Sequence, residues 1–180
     1  MKALLLTSAA VLVSTSALAA DYQVDPAHSF VTFEVGHLGV STTVGRFNEF
    51  EGTFTLADNG KSGSSEFTIQ AASVDTNHAA RDKHLRSPDF LDVKQFPTIT
   101  FKSTSFDGEE LKGDLTLHGV TKPVTFEVEK IGEGDDPWGG YRAGFEASTT
   151  LKRSEFGVSY FIPGVTDETE LDIFIEGIRQ

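Results

Sequence analysis

The amino-acid sequence predicts an all-β fold, in which an antiparallel sheet closes on itself to form a barrel. Eight segments of 7–11 residues have the pattern of strands, and short turn signals separate most of them. One stretch, residues 73–101, interrupts this pattern and predicts a short helical insertion. No internal repeat or low-complexity tract divides the chain, which indicates one domain.

The first three predicted strands rest on alternation of apolar and polar side chains, the period of a strand with one buried face. Their ranges and main apolar positions are residues 30–37 (Val31, Phe33, Val35), residues 46–56 (Phe50, Phe54, Leu56) and residues 65–73 (Phe67, Ile69, Ala71). The tripeptide Asp58-Asn59-Gly60 supplies a turn between the second and the third.

The predicted insertion, called the insert below, spans residues 77–93. Four of its side chains fall at the i, i+3, i+4, i+7 spacing of one helix face: His78, Arg81, Asp82 and Leu85. Asp75 or Asn77 is expected to cap the helix, and Pro88 is expected to begin a second short helix carrying Phe90 and Leu91. Charge gathered beside large apolar groups favours a lid or rim over an apolar cavity.

Five further strands complete the predicted barrel. They cover residues 98–106, 111–117, 124–131, 142–152 and 170–178. A turn at Asp107-Gly108, a connection over residues 118–123 and a polar loop over residues 132–140 join neighbouring strands. An eight-stranded barrel is either filled by its own side chains or holds one slender ligand, and periodicity does not decide between these outcomes.

Residues 1–19 have the pattern of a secretory signal peptide, which leaves residues 20–180 as the barrel domain. Lys2 precedes a short apolar run, and Ala17-Leu18-Ala19 has the small-x-small pattern of a cleavage site. The expected location is therefore the periplasm, and no later stretch is apolar enough for stable membrane insertion.

The composition of the chain excludes several classes of binding partner and functional site. The predicted leader holds one of the 15 basic residues and none of the 27 acidic ones, so the remainder carries a formal charge of −13. Such a charge argues against nucleic acid and anionic membrane surfaces, which select basic patches. The chain has no cysteine, which excludes disulfides, thiol catalysis and cysteine-based metal sites. Fifteen phenylalanines against one tryptophan suit either a packed core or a tunnel for an apolar ligand.

Several motifs in a fixed order give the chain a family resemblance. They are residues 22–25 with 28–29, then 37–41, 45–47, 73–76, 81–90, 113–123, 142–145 and 153–157. In these motifs the chain resembles the YceI-like family, bacterial polyisoprenoid-binding proteins with a lipocalin-like barrel. The resemblance implies an eight-stranded antiparallel lipocalin-like barrel with an elongated apolar pocket. It implies as ligand a long-chain lipid such as an isoprenoid quinone, a polyprenyl phosphate or a fatty-acid derivative.

A lipid-carrying barrel needs a dry lining and a polar mouth. The candidates for the apolar lining are Phe33, Val35, Phe50, Phe54, Phe67, Ile69, Leu85, Phe90, Phe101, Leu115, Phe126, Phe145 and Phe156. The candidates for the polar mouth are His28, Arg46, Arg81, Asp82, His84 and Arg153, since arginine and histidine can bind a phosphate or a quinone carbonyl. Arg81 and Arg153 have a second interpretation, in which they pair with Asp82, Asp89 or Asp114 and attach the insert to the barrel.

Enzyme signatures are weak in this sequence. It has no nucleophile elbow, P-loop or dinucleotide fingerprint, and its histidines lack the spacing of a zinc pair. We therefore expect no catalytic residue, metal or cofactor beyond a bound lipid. Two alternatives stay open: a stress-response or interaction protein with a filled barrel, and a lipid hydrolase or isomerase with His28 or His84 as base. A hollow interior would favour the carrier, and the sequence leaves a homodimer open.

Overall fold

The computed structural model describes residues 19–180, which contain eleven strands, one α-helix and two 3-10 helices. The strands are β1 (Ala19–Val24), β2 (Phe30–His37), β3 (Ser41–Phe47), β4 (Phe50–Ala57), β5 (Gly63–Gln70), β6 (Val74–Asp75), β7 (Thr98–Phe106), β8 (Glu110–Leu117), β9 (Val120–Asp135), β10 (Tyr141–Lys152) and β11 (Val165–Arg179). Helix α1 is Ala79–Leu85, and the 3-10 helices are η1 (Ala71–Ser73) and η2 (Arg153–Phe156). The predicted signal peptide lies outside the described residues except for Ala19 in β1, and it stays a prediction.

Eight of the strands close into a ring. The order is β1-β4-β5-β7-β8-β9-β10-β11, and β11 pairs back to β1. All of these pairings are antiparallel. Strand β2 also pairs with β11, along the part of β11 that precedes its pairing with β1, and β3 and β6 follow β2 in the pairing order. The structure thus confirms the predicted eight-stranded antiparallel, lipocalin-like barrel with a short helical insertion.

The predicted strand over residues 46–56 is divided in the structure. Strand β3 ends at Phe47 and β4 begins at Phe50, because the chain changes partners between them. The backbone N–H of Asn48 donates to the carbonyl of Ser73, and the carbonyl of Glu49 accepts from Gln70. The phase of the alternation shifts at the break, from Phe47 in β3 to Phe54 and Leu56 in β4, and the predicted strand did not take this shift into account.

The helical insert is shorter than predicted. Helix α1 covers seven residues, and its N-cap is His78, whose Nδ1 accepts from the backbone N–H of Arg81. The predicted caps Asp75 and Asn77 lie outside the helix, where Asp75 accepts from the N–H of Asn77 in a local turn instead. The expected second helix is also absent, since residues 86–91 form successive turns.

The later strands follow the prediction, with one longer hairpin. Strand β7 matches the predicted range, whereas β9 also includes residues 120–123 of the predicted connection and residues 132–135 of the predicted polar loop. His118 and Gly119 alone form the turn between β8 and β9, with φ of 52° and 74°. Positive φ at both central positions is the geometry of a type I′ turn, which matches the twist of a hairpin.

Two clusters of buried side chains hold the barrel together. One contains Tyr22 stacked on Phe54 with ring centroids 4.7 Å apart, and Phe54 meets Phe145 edge-on at 5.6 Å. The other contains Phe101 and Phe126, which meet edge-on at 5.3 Å. Aromatic pairs of this geometry add about 0.5–1.5 kcal/mol beyond their burial.

Candidate functional site

The barrel encloses a cavity of about 260 Å³. A cavity needs roughly 10–15 Å³ by the same measure to hold one water molecule, so this space is an order of magnitude larger. Its lining is almost entirely apolar and draws on both the strands and the insert. Nine of the fifteen phenylalanines face it, which shows that the phenylalanine excess builds the wall of a cavity as well as a core.

The structure brings eleven of the thirteen predicted lining residues to this cavity. They are Phe33, Val35, Phe54, Phe67, Ile69, Leu85, Phe90, Phe101, Leu115, Phe126 and Phe145. Phe50 and Phe156 lie outside the lining. Phe50 packs against the Tyr22 cluster, and Phe156, on η2 rather than on a strand, is 2 % exposed within the Phe101 cluster. Ligand contact at all thirteen positions stays a prediction.

Several lining residues escaped the sequence reasoning. Leu111 and Leu117 share a strand face with Leu115, and Ala147 shares one with Phe145, so the two-residue period would have found them. The same holds for Ser65, two residues before Phe67. Other missed lining positions are Val31, Phe47, Phe106, Val128, Val158 and Ile173.

The insert covers part of the cavity. Leu85, Phe90 and Leu91 belong to the lining, although none of them is on a barrel strand. Arg86, which the sequence reasoning did not single out, anchors the segment: its guanidinium donates to the carbonyls of Ala72 (2.6 Å) and Val74 (2.5 Å).

Arg81 and Asp82 both bind Thr76 rather than the cavity. The Arg81 guanidinium donates to the hydroxyl and the carbonyl of Thr76 at 2.7 Å each, and the buried Asp82 carboxylate accepts from the N–H and hydroxyl of that residue. The hydroxyl of Thr76 is the main cause that lowers the pKa of Asp82. These contacts fit the second interpretation, attachment of the insert, with Thr76 in place of the predicted acidic partners.

His84 lies in an aromatic cluster at the insert. Its ring meets Phe90 at 5.0 Å and Tyr160 at 5.3 Å between centroids, and its Nε2 lies 2.8 Å from a carboxylate oxygen of Asp89. Phe90 and Tyr160 also contact each other edge-on at 5.2 Å. The cluster joins the insert to the loop before β11, and His84 itself is absent from the cavity lining.

Arg153 is the one charged residue in the cavity lining. It is 6 % exposed, and burial lowers the pKa of its guanidinium. Its nitrogens donate to four carbonyls, those of Val158, Tyr160, Val165 and Thr166, at 2.8–3.0 Å. The guanidinium therefore organises the loop between η2 and β11, with backbone oxygens as partners instead of the carboxylates predicted.

Arg46 and His28, the remaining mouth candidates, lie away from the cavity. Arg46 is exposed and reaches Asp75 at 3.6 Å. His28 approaches Asp25 at 2.9 Å on the outer surface. The six candidates were predicted to form one mouth, but the structure does not bring them together. They lie in the turn after β1 (His28), on β3 (Arg46), on α1 (Arg81, Asp82, His84) and on η2 (Arg153).

The Asp25 cluster has ligand atoms close enough for a metal ion, but it has a cation of its own. Asp25, His28 and Glu176 each offer an atom within 4.8 Å of the others. The Arg142 guanidinium donates to Asp25 and Glu176 together, and these hydrogen bonds raise its pKa.

A closed antiparallel barrel around an apolar cavity, with a helical insert in its wall, defines the class of lipocalin-like hollow barrels. No helix within residues 19–180 combines the length and apolar character needed to span a membrane. The chain belongs to the YceI-like family, since the YceI-like domain matches residues 22–177. This finding confirms the resemblance drawn from the sequence motifs.

Relatives and solved structures agree with this membership. The UPF0312 protein PA0423 of Pseudomonas aeruginosa is 50% identical over 185 residues, which covers 99% of this chain and 97% of the relative. Protein YceI of Escherichia coli O157:H7 is 50% identical over 183 residues, covering 97% and 96%. Burkholderia cenocepacia BcnA superposes with a TM-score of 0.76 at 25% identity, over 85% of this chain and 98% of that chain.

A more distant solved structure shares the fold alone. A polyisoprenoid binding domain from Saccharophagus degradans has a TM-score of 0.66 at 15% identity, over 88% of this chain and 98% of that one.

Proposed function

We propose that this protein binds a long-chain amphiphile inside its barrel and carries or sequesters it in the periplasm. The ligand classes are an isoprenoid quinone, a polyprenyl phosphate or a fatty-acid derivative. The observation that carries the proposal is the apolar cavity of about 260 Å³, since a filled barrel would leave no such space. The polyisoprenoid binding named for the structural neighbour supports the same class of ligand.

The lining supplies affinity without much selectivity. Each buried methylene contributes roughly 0.8 kcal/mol, and part of this gain is offset by the cost of ordering the ligand. A hydrophobic wall distinguishes chains that differ by a methylene only weakly. The cavity therefore selects for length and width, and several long-chain compounds are expected to bind.

The insert is the proposed gate. Residues 79–91 contribute three side chains to the lining, and their attachment to the loop before β11 depends on the His84–Phe90–Tyr160 contacts. Movement of this segment would expose the cavity while leaving the hydrogen-bonded ring of strands intact. We propose a binding role without turnover, since the lining presents no pair of groups suited to acid–base chemistry.

Native mass spectrometry of protein purified without detergent from its own periplasm tests the proposal. The expected result is a discrete adduct that extracts into organic solvent, which also identifies the ligand. Recovery of the protein in the periplasmic fraction tests the location. An unliganded mass, together with no uptake of added quinone, polyprenyl phosphate or fatty acid, would overturn the carrier function.

A further inference from the structure

Ser65 places a hydroxyl group in the cavity wall. It lies on β5 and shares the inward face with Phe67 and Ile69, which both line the cavity. Its side chain is buried, with the residue 7 % exposed, and its backbone N–H donates to the hydroxyl of Ser103 at 2.7 Å. Within residues 19–180, the Ser65 Oγ is the one fully buried side-chain oxygen or nitrogen without a hydrogen-bond partner.

The other polar groups of the lining differ from Ser65: Thr169 is only partly buried, and the rest are already engaged. The hydroxyls of Thr55 and Ser64 bind each other at 3.0 Å, and Arg153 donates to four carbonyls. A buried hydroxyl without a partner is unfavourable, and such groups in folded proteins are nearly always satisfied by protein, water or ligand. The unpaired Ser65 hydroxyl therefore marks the point in the cavity wall where a ligand gains a hydrogen bond.

The surroundings of Ser65 define the chemistry of its partner. A hydroxyl both donates and accepts, so it suits an alcohol, a carbonyl or an amide. An ionised phosphate or carboxylate would be buried there without a free cation, since Arg153 is the only charged lining residue and is bound to backbone oxygens. The group that binds at Ser65 is therefore neutral.

The position of Ser65 also gives the ligand an orientation. Gln70 lies five positions further along β5, roughly 17 Å along an extended strand. Beyond Gln70 the chain enters η1, β6 and then the insert. Ser65 thus lies toward the end of the barrel away from the insert. The mouth candidates Arg81, Asp82 and His84 belong to the insert, so Ser65 lies toward the opposite end of the barrel from them.

We propose that the Ser65 hydroxyl binds a neutral hydrogen-bonding group of the amphiphile, whose hydrocarbon part extends toward the insert. The inference rests on the proposed function and specifies the chemistry and direction of its ligand.

Two probes of equal chain length, tetradecan-1-ol and tetradecane, separate hydrogen bonding from burial. Their dissociation constants are measured by displacement of a fluorescent apolar dye from the full-length protein. One hydrogen bond of ordinary strength corresponds to roughly a 3–10-fold change in affinity. Ser65→Ala is expected to weaken the alcohol by that factor and to leave tetradecane unchanged. Ser62→Ala, three residues before it, exposed and outside the cavity lining, is the matched control and should change neither.

Each outcome has a distinct meaning. Unchanged alcohol affinity in Ser65→Ala would overturn the proposed contact, and so would equal weakening of both probes, which signals a general change in the cavity. Binding of neither probe to the unmodified protein would instead refute the proposed function. Thermal unfolding checks the fold of the variant: its midpoint should equal or exceed that of the unmodified protein, because an unpaired buried hydroxyl has been removed.

Discussion

Filling the cavity should stabilise the protein and block its ligand at the same time. Ala147 on β10 lines the cavity, opposite Val128 and Ile173 on the neighbouring strands. Ala147→Leu adds three carbon atoms to this space. Burial of three carbons at about 0.8 kcal/mol each gives an upper value of about 2.4 kcal/mol in the free energy of unfolding. The same atoms occupy volume that the hydrocarbon chain would use, so affinity should fall.

Ala143 provides the matched control on the same strand. It is 1 % exposed in the Tyr22 cluster and does not belong to the cavity lining. Ala143→Leu therefore overpacks a filled core and should cost about 1–3 kcal/mol. The two variants make the same chemical change and are predicted to shift stability in opposite directions.

Urea unfolding of the ligand-free proteins and titration with tetradecan-1-ol measure the two effects. Loss of stability in Ala147→Leu equal to that in Ala143→Leu would show that no usable space exists beside residue 147. Unchanged affinity together with higher stability would show that the ligand lies elsewhere. Either result would refute the reasoning that connects the cavity to ligand binding.

Three further predictions concern Arg153, Asp25 and the insert. Arg153→Lys keeps the charge but loses the planar guanidinium that donates to four carbonyls. Urea unfolding should therefore show a decrease of about 2–4 kcal/mol in the free energy of unfolding. Unchanged stability with weaker binding of polyprenyl phosphate would favour a headgroup role instead. Hydrogen bonds from His28 and Arg142 lower the pKa of Asp25 to about 2, so this carboxylate contributes stability that is complete above about pH 4 and is lost as the pH falls toward 2. The difference in melting temperature between the unmodified protein and Asp25→Asn should therefore shrink over that range, and a constant difference would contradict it. A disulfide engineered between the insert and the loop containing Tyr160 should slow ligand exchange, and reduction should restore it; the chain has no other cysteine to interfere. Unchanged exchange in the oxidised form would exclude the insert as the gate.

The sequence by itself determined the class of fold. Alternating residues such as Val31, Phe33 and Val35 specify the buried face of a strand. Short turns such as Asp107-Gly108 require the two strands they connect to pair antiparallel. The interruption of the two-residue alternation located the insert, and the motifs along the chain identified the family. These signals are local in the chain, which is why they could be found without coordinates.

Long-range pairing decided what the sequence left open. The division between β3 and β4 follows from a change of strand partners. The presence of a cavity depends on how the strands close into a ring, because the same phenylalanines would fill a tighter barrel. The candidate mouth residues also depended on the tertiary structure. Arg81 and Arg153 have the charge of headgroup ligands in the sequence. In the structure, however, Arg81 binds Thr76, and Arg153 binds four carbonyls of the segment 158–166. Charge and spacing predict which residues can bind a ligand. Only the tertiary structure shows that Ser65, which the sequence prediction did not include, has an unpaired hydroxyl in the cavity.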